Sequence, residues 1–236
     1  MKRPLKLFAL FAPVLLSFGL MAQSVPAHRL LVPQEPAPNL GKLKTQLIAY
    51  HDCVRPRGCY VPDLNRQSDL AIGYLQHRVA RAKPGEKLAL VLDIDETALS
   101  NWTEEVQDDF GYIGKDWDEW VGKKQAPAIE GTLRLYNEAL KYKVAVFFIT
   151  GRSTAQEDAT VENLKAIGYH DWVGLAVRGP HPSGQTTVEY KSGERKKIVA
   201  AGYHIILNVG DQLSDLTGNP RAELSVKLPN PFYYIP

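Results

Sequence analysis

The sequence predicts an α/β fold: a parallel sheet with helices on both faces. Three observations predict it. Short apolar runs of strand length (Leu88-Ala89-Leu90-Val91-Leu92, Val144–Ile149, Val173–Val177 and Ile205–Val209) alternate with segments of helical period. The first two runs are nearly unbroken in their apolar character, as expected of strands covered on both faces. Helices placed between strands supply the crossovers that parallel pairing needs.

Taken in order, the chain opens on a targeting pattern. Lys2, Arg3 and Lys6 precede an apolar run of 14 residues, Leu7 to Leu20, and small residues follow at Ala22, Ser24 and Ala27. A membrane-spanning helix needs about 20 apolar residues, so a signal peptide over 1–22 and export to the periplasm or medium are expected. A retained membrane anchor is the rival reading, and no stable anchor is expected. Residues 23–40, with Pro26, Pro33, Pro36 and Pro38, read as a tether. Helices are expected over Leu40–Tyr50 and Asp63–Val79, the second with Leu64, Leu70, Ile72, Leu75 and Val79 as its stripe and Asp63 or Asn65 as its cap. Lys83-Pro84-Gly85 stops it before the first strand. About 30 residues without a clean period follow Thr97 and hold Trp102, Phe110, Tyr112, Trp117 and Trp120. Beyond them are helices over Ile129–Lys141, Thr154–Ala166 and Ser192–Ala201, an edge strand over Leu224–Leu228, and a strap through Pro229-Asn230-Pro231-Phe232-Tyr233-Tyr234.

Composition, 44% hydrophobic and 23% charged, is that of a globular chain, and 236 residues suffice for one large domain, or for one domain with a small accessory one. The formal net charge of +2 falls to −1 once Lys2, Arg3 and Lys6 are removed, so nothing favours a nucleic-acid partner. Cys53 and Cys59 are the only two cysteines, and Pro56 and Gly58 allow a turn between them. In an exported chain they suggest one small disulfide loop, and no neighbouring Cys or His pair completes a zinc site.

The chemistry lies where the strands end, since ligands of open α/β sheets bind beyond the carboxyl ends of the strands. The first strand delivers Asp93-Ile94-Asp95-Glu96-Thr97, the second Thr150-Gly151-Arg152, and the fourth Gly210-Asp211-Gln212-Leu213-Ser214-Asp215. A basic segment, Lys191 to Lys197, lies between the last two. Carboxylates, a hydroxyl and a lysine at one sheet end suit phosphoryl transfer, in which carboxylates hold Mg²⁺ and cations offset the phosphoryl charge.

With these four motifs in order, the chain resembles the haloacid-dehalogenase-like hydrolases, and within them the acid phosphatase subfamily of bacterial class C acid phosphatases and plant vegetative storage proteins. Tyr190-Lys191-Ser192, Gly210 to Leu216 and Leu228-Pro229-Asn230-Pro231 resemble the plant branch most. The resemblance implies a Rossmann-like core with a small cap insertion and an N-terminal helical segment. The phosphatase domain would span 41–236, with a core over about 86–236 and the cap over about 98–128. It implies a small phosphomonoester as substrate, with Asp93 as nucleophile and Asp95 as general acid. It further implies Mg²⁺ held by the Asp93 carboxylate, the Asp95 carbonyl and Asp211, with Asp215 beside them, and phosphate gripped by Thr150 and Lys191. Lys196 and Lys197 compete with Lys191, which is preferred for its place in the Tyr-Lys-Ser pattern before the helix.

Other readings stand beside these. Thr150 could cap the next helix, and Arg152 could hold phosphate or be an exposed helix-start residue. The aromatics of 102–120 could stack on a leaving group or form the cap's own core. Asp108, Asp109, Asp116, Asp118 and Glu119 read as solvated surface. His51, His170, His181 and His204 show no ligand spacing, and Asn101-Trp102-Thr103 matches a glycosylation acceptor. A storage protein with weak catalysis, or a phosphotransferase, are the functional rivals. Substrate identity and oligomeric state are left open.

Overall fold

The computed structural model describes residues 37–180 and 184–236. The signal segment, most of the tether and His181 lie outside the described residues.

Two helices, α1 (Leu40–Asp52) and α2 (Tyr60–Val79), precede the sheet and are joined by a loop that the Cys53–Cys59 disulfide closes. The α2 helix starts three residues earlier than its apolar stripe suggests. Its N-cap is Cys59 and no side chain caps it, so neither Asp63 nor Asn65 plays that part. Pro62 is tolerated because the first turn leaves its backbone N–H groups unpaired in any case.

The sheet consists of β1 (Leu88–Leu92), β2 (Ala145–Ser153), β3 (Gly174–Arg178), β4 (His204–Gly210) and β5 (Leu224–Lys227). Every pairing is parallel and the order is β3-β2-β1-β4-β5, which puts β1 in the middle. All five residues of β1 are buried. Leu88, Leu90 and Leu92 belong to a large core with Leu64, Leu75, Leu135 and Phe148. Ala89 and Val91 turn to the other face and pack with Tyr190, Ile198 and Ile205. Strand alternation thus serves two cores, one under α2 and α5 (Glu130–Lys141), the other under α7 (Thr187–Ala200).

Between β1 and α5 lie two short helices, α3 (Trp102–Gln107) and α4 (Gly114–Lys123), in the stretch that shows no clean period. A 3₁₀ turn (Thr154–Gln156) leads into α6 (Glu157–Ala166), and a single turn, α8 (Leu213–Leu216), follows β4. The α7 helix begins five residues before the expected Ser192. Thr186 caps it through a capping box with Glu189, so Lys191 lies inside the helix and not ahead of it.

Candidate active site

Asp93 follows the last residue of the central strand, and its N–H donates to the Val209 carbonyl at 3.0 Å. This bond ties the ends of β1 and β4 together and fixes where the carboxylate points. Asp211, just beyond β4, and Asp215, in α8, bring their carboxylates beside it. One oxygen from each of the three lies within 4.8 Å of the others, and all three residues are buried. Gly210 makes this closeness possible. A Cβ there would stand 2.5 Å from atoms of the Asp215 side chain, so only glycine fits.

Lys191 reaches into the cluster from α7. Its ammonium donates to Asp93, to the Ile149 carbonyl at 2.7 Å, and pairs with Asp215 at 2.8 Å. Burial opposes its charge, but Asp215 and Asp93 outweigh this and raise its pKa. Burial raises Asp93 well above the carboxylate range against the pull of Lys191, with Asp215 and Asp211 adding to the rise. Burial, then Asp215, pushes Asp211 up to about 7. Three acids against one lysine leave a buried site short of positive charge.

Asp211 is aimed from two sides. One oxygen accepts from Gln212 Nε2 and from Asn230 Nδ2, each at 2.7 Å, and the other from Thr97 Oγ1 at 3.4 Å. The C-terminal strap therefore takes part in the site through Asn230. It does so again through Tyr233, whose hydroxyl donates to Glu96 at 3.1 Å.

Asp95 stands apart from the three-acid cluster. Arg152 donates to it from Nε at 3.0 Å and Nη2 at 2.7 Å, and Asn101 Nδ2 donates at 2.9 Å. Thr150 Oγ1 lies 3.5 Å from Asp95, at the limit of a hydrogen bond, and accepts from the Arg152 N–H at 3.1 Å. Thr150 and Arg152 belong to β2 itself, which runs on to Ser153 past a break in register. Arg152 is thus no exposed helix-start residue. Its side chain is 1% exposed, donates to Thr160 at 3.1 Å and lies over the Trp117 ring.

Asn101 is fully buried. Besides Asp95 it serves Glu96, and its own oxygen accepts from Trp120 Nε1 at 2.8 Å. A glycan could not be attached to it in the folded chain. Trp120 is core, whereas Trp117 lines the site. Asp118, expected as plain surface, lines it too and accepts from Gln156 Nε2 at 2.7 Å. Lys196 and Lys197 are exposed on α7, away from this cluster of bonds. Among the histidines, His51 stacks on Trp102 with ring centroids 3.6 Å apart. His204 meets Glu86 and Glu223 at the opposite end of the strands, a grouping its sequence spacing hides.

A cavity of about 610 Å³ opens over the strand ends, lined by Asp93, Asp95, Lys191, Asp211 and Asp215 together with residues of 104–118 and the strap. Hard oxygen donors, buried and under-compensated, suit a divalent cation such as Mg²⁺. The sequence motifs conceal Glu104 and Glu105, which are buried against this cavity despite their charge. Two adjacent acids on a short polar helix give no sign of burial until the tertiary fold is known.

Residues 44–236 match the HAD superfamily, subfamily IIIB (acid phosphatase). Acid phosphatase 1 of Solanum lycopersicum is 43% identical over 148 residues, 61% of this chain and 58% of that protein. The stem 28 kDa glycoprotein of Glycine max is 40% identical over 154 residues, 63% of this chain and 61% of that one. Vegetative storage protein 1 of Arabidopsis thaliana is 35% identical over 150 residues, covering 62% and 55%. The chain spans about three-fifths of the length of the curated relatives it matches. In fold it is similar to the class C acid phosphatase of Bacillus anthracis, with a TM-score of 0.65 and 24% identity over 81% of this chain and 86% of that one.

Proposed function

The chain belongs to the HAD superfamily, subfamily IIIB, and from that premise we propose that it is an exported, Mg²⁺-dependent acid phosphatase that hydrolyses small phosphomonoesters. The observation that carries this reading is the meeting of Asp93, Lys191, Asp211 and Asp215 at the end of the central strand. The phosphatase unit is residues 41–236, with the cap formed by about 98–128.

Asp93, Asp211 and Asp215 would hold the metal with the Asp95 carbonyl; bound there, Mg²⁺ would offset negative charge on the phosphoryl group. Lys191 and Thr150 hold phosphate oxygens. An Asp93 oxygen attacks phosphorus in line with the leaving oxygen, forming the aspartyl-phosphate bond as the ester P–O bond breaks. Asp95, aimed by Arg152 and Asn101, gives its proton to the departing oxygen. It then takes a proton from water, whose oxygen attacks the same phosphorus and frees Asp93 and inorganic phosphate. The motif at 1–22 and the Cys53–Cys59 disulfide support export. Among the described residues, no helix is long and apolar enough to cross a membrane.

Assaying a panel of phosphomonoesters with and without Mg²⁺ tests the reading. Release of inorganic phosphate that EDTA stops and Mg²⁺ restores is expected. No turnover of p-nitrophenyl phosphate at any acidic or neutral pH would favour a storage role, and phosphate appearing on added alcohol would favour a transferase.

A further inference from the structure

The cavity over the strand ends holds more carboxyl groups than phosphoryl transfer uses. Eight carboxylates line it, and six of them accept from donors already described: Asp93 and Asp215 from Lys191, Asp95 from Arg152, Glu96 from Tyr233, Asp118 from Gln156 and Asp211 from Asn230. Glu104 and Glu105 accept from no donor among the described residues, although they are only 4% and 7% exposed. Both stand on α3 and face the cavity, and Phe110, Tyr112 and Trp117 line it directly after them. Burial, with Asp108 and Asp95 adding, pushes Glu104 up to about 7. Burial, with Glu104 and Asp95 adding, pushes Glu105 up to about 8. Each is a carboxyl group lacking a counter-charge.

Neither belongs to a group of three His, Cys, Asp or Glu ligands among the described residues. A primary ammonium fits them. It offers N–H donors and a positive charge to both carboxylates. We propose that this wall of the cavity recognises an ammonium on the leaving group, so that the preferred substrates are phosphomonoesters of amino alcohols. The inference rests on the phosphatase reading of the same cavity. It adds that the phosphate sits by Lys191 while the amine reaches Glu104 and Glu105, which lowers the repulsion a phosphate dianion meets among so many acids.

The test needs no turnover. At pH 9, above the range to which burial raises both glutamates and where an alkylammonium keeps its proton, the full chain with Mg²⁺ is titrated calorimetrically with aminoalkylphosphonates of two to five methylenes, and with alkylphosphonates of equal length that end in methyl. The best amine is expected to bind about tenfold tighter than its neutral counterpart, as a charge-assisted bond to a desolvated carboxylate supplies. Glu104→Gln and Glu105→Gln should each shrink that ratio. If no amine exceeds its counterpart by more than about twofold in the wild-type chain, the proposal fails whatever the variants do. A ratio that survives in both variants also overturns it. Inorganic phosphate in the same cell separates the two failures. Phosphate binding without amine preference sinks only the ammonium wall, whereas no binding of phosphate or of any phosphonate defeats the phosphatase site and this inference together.

Discussion

The two ends of the same strands each gather three metal-ligand side chains, and they differ in what fills the space between them. At the amino ends of β1, β4 and β5, Glu86, His204 and Glu223 converge. Arg78 occupies that position, with Nη2 at 2.5 Å from Glu86 and Nε at 2.8 Å from Glu223, and Tyr74 adds a bond to Glu223 at 2.8 Å. Hydrogen bonding from Arg78 holds Glu86 down at about 2. At the carboxyl ends the three acids are buried beside a single lysine, which pairs with Asp93 and Asp215, and burial drives Asp93 and Asp211 up instead of down. The first arrangement is a clamp with its charges satisfied. The second keeps unfavourable electrostatics in place, as a site awaiting a charged ligand must.

The largest expected effect contrasts the two ends directly. Asp93→Ala should remove all detectable turnover of p-nitrophenyl phosphate, while Glu223→Gln should change kcat by less than about twofold, since the clamp touches no reacting atom. Comparable losses in both variants would erase the distinction.

Metal dependence comes next. Mg²⁺ should bind at the carboxyl end alone, so Asp211→Asn should raise the Mg²⁺ concentration needed for half-activity about tenfold or more, and Glu86→Gln should leave it unchanged. Isothermal titration of both variants with Mg²⁺ checks this without turnover.

Within the active end, Asp93 and Asp95 should differ. On the proposed mechanism Asp95→Ala would remove acid–base assistance, typically worth about 10²–10⁴-fold, so it should lose far more on alkyl phosphates than on p-nitrophenyl phosphate, whose leaving group needs no proton. Equal losses on both substrates would count against Asp95 as the acid.

The smallest effects are in stability, and the two ends should respond to pH in opposite senses. Glu86 is depressed in the folded chain, so its contribution is present above the ordinary glutamate range and fades as pH falls towards 2. Glu105 is raised to about 8, so its contribution is present below that range and is lost as pH rises through 8. In melting scans, Arg78→Met should lower Tm at pH 7 and approach wild type in acid. Glu105→Gln should raise Tm relative to wild type more at pH 9 than at pH 5. Parallel pH profiles for the two variants would contradict this electrostatic contrast.

Much of the active end is legible in the sequence because strand ends are. An apolar run that stops at Asp93, at Thr150 or at Gly210 fixes both an element and the direction of its last side chains. The parallel pairing follows from the helices between the runs, whereas the strand order is seen only in the fold. What the sequence hides is set by tertiary contact. The α7 start is marked by the Thr186–Glu189 capping box, but the low apolar content of its first turns masks it, so Lys191 reads as loop. Arg152 looks like a surface residue until β2 is seen to continue through it to Asp95. Glu104 and Glu105 have Trp102, three residues before Glu105, as their one apolar neighbour at helical spacing, too little to announce burial, and both line the cavity in the fold. The Arg78 clamp joins residues more than 100 positions apart, and no local pattern announces it.

Trapping the covalent intermediate tests the central claim most directly. Rapid acid quench of the wild-type chain during turnover, followed by peptide mass spectrometry, should place the phosphoryl group on Asp93. Steady turnover with the phosphoryl group on another residue, or with none trapped at any quench time while Asp93→Ala stays active, would contradict the account.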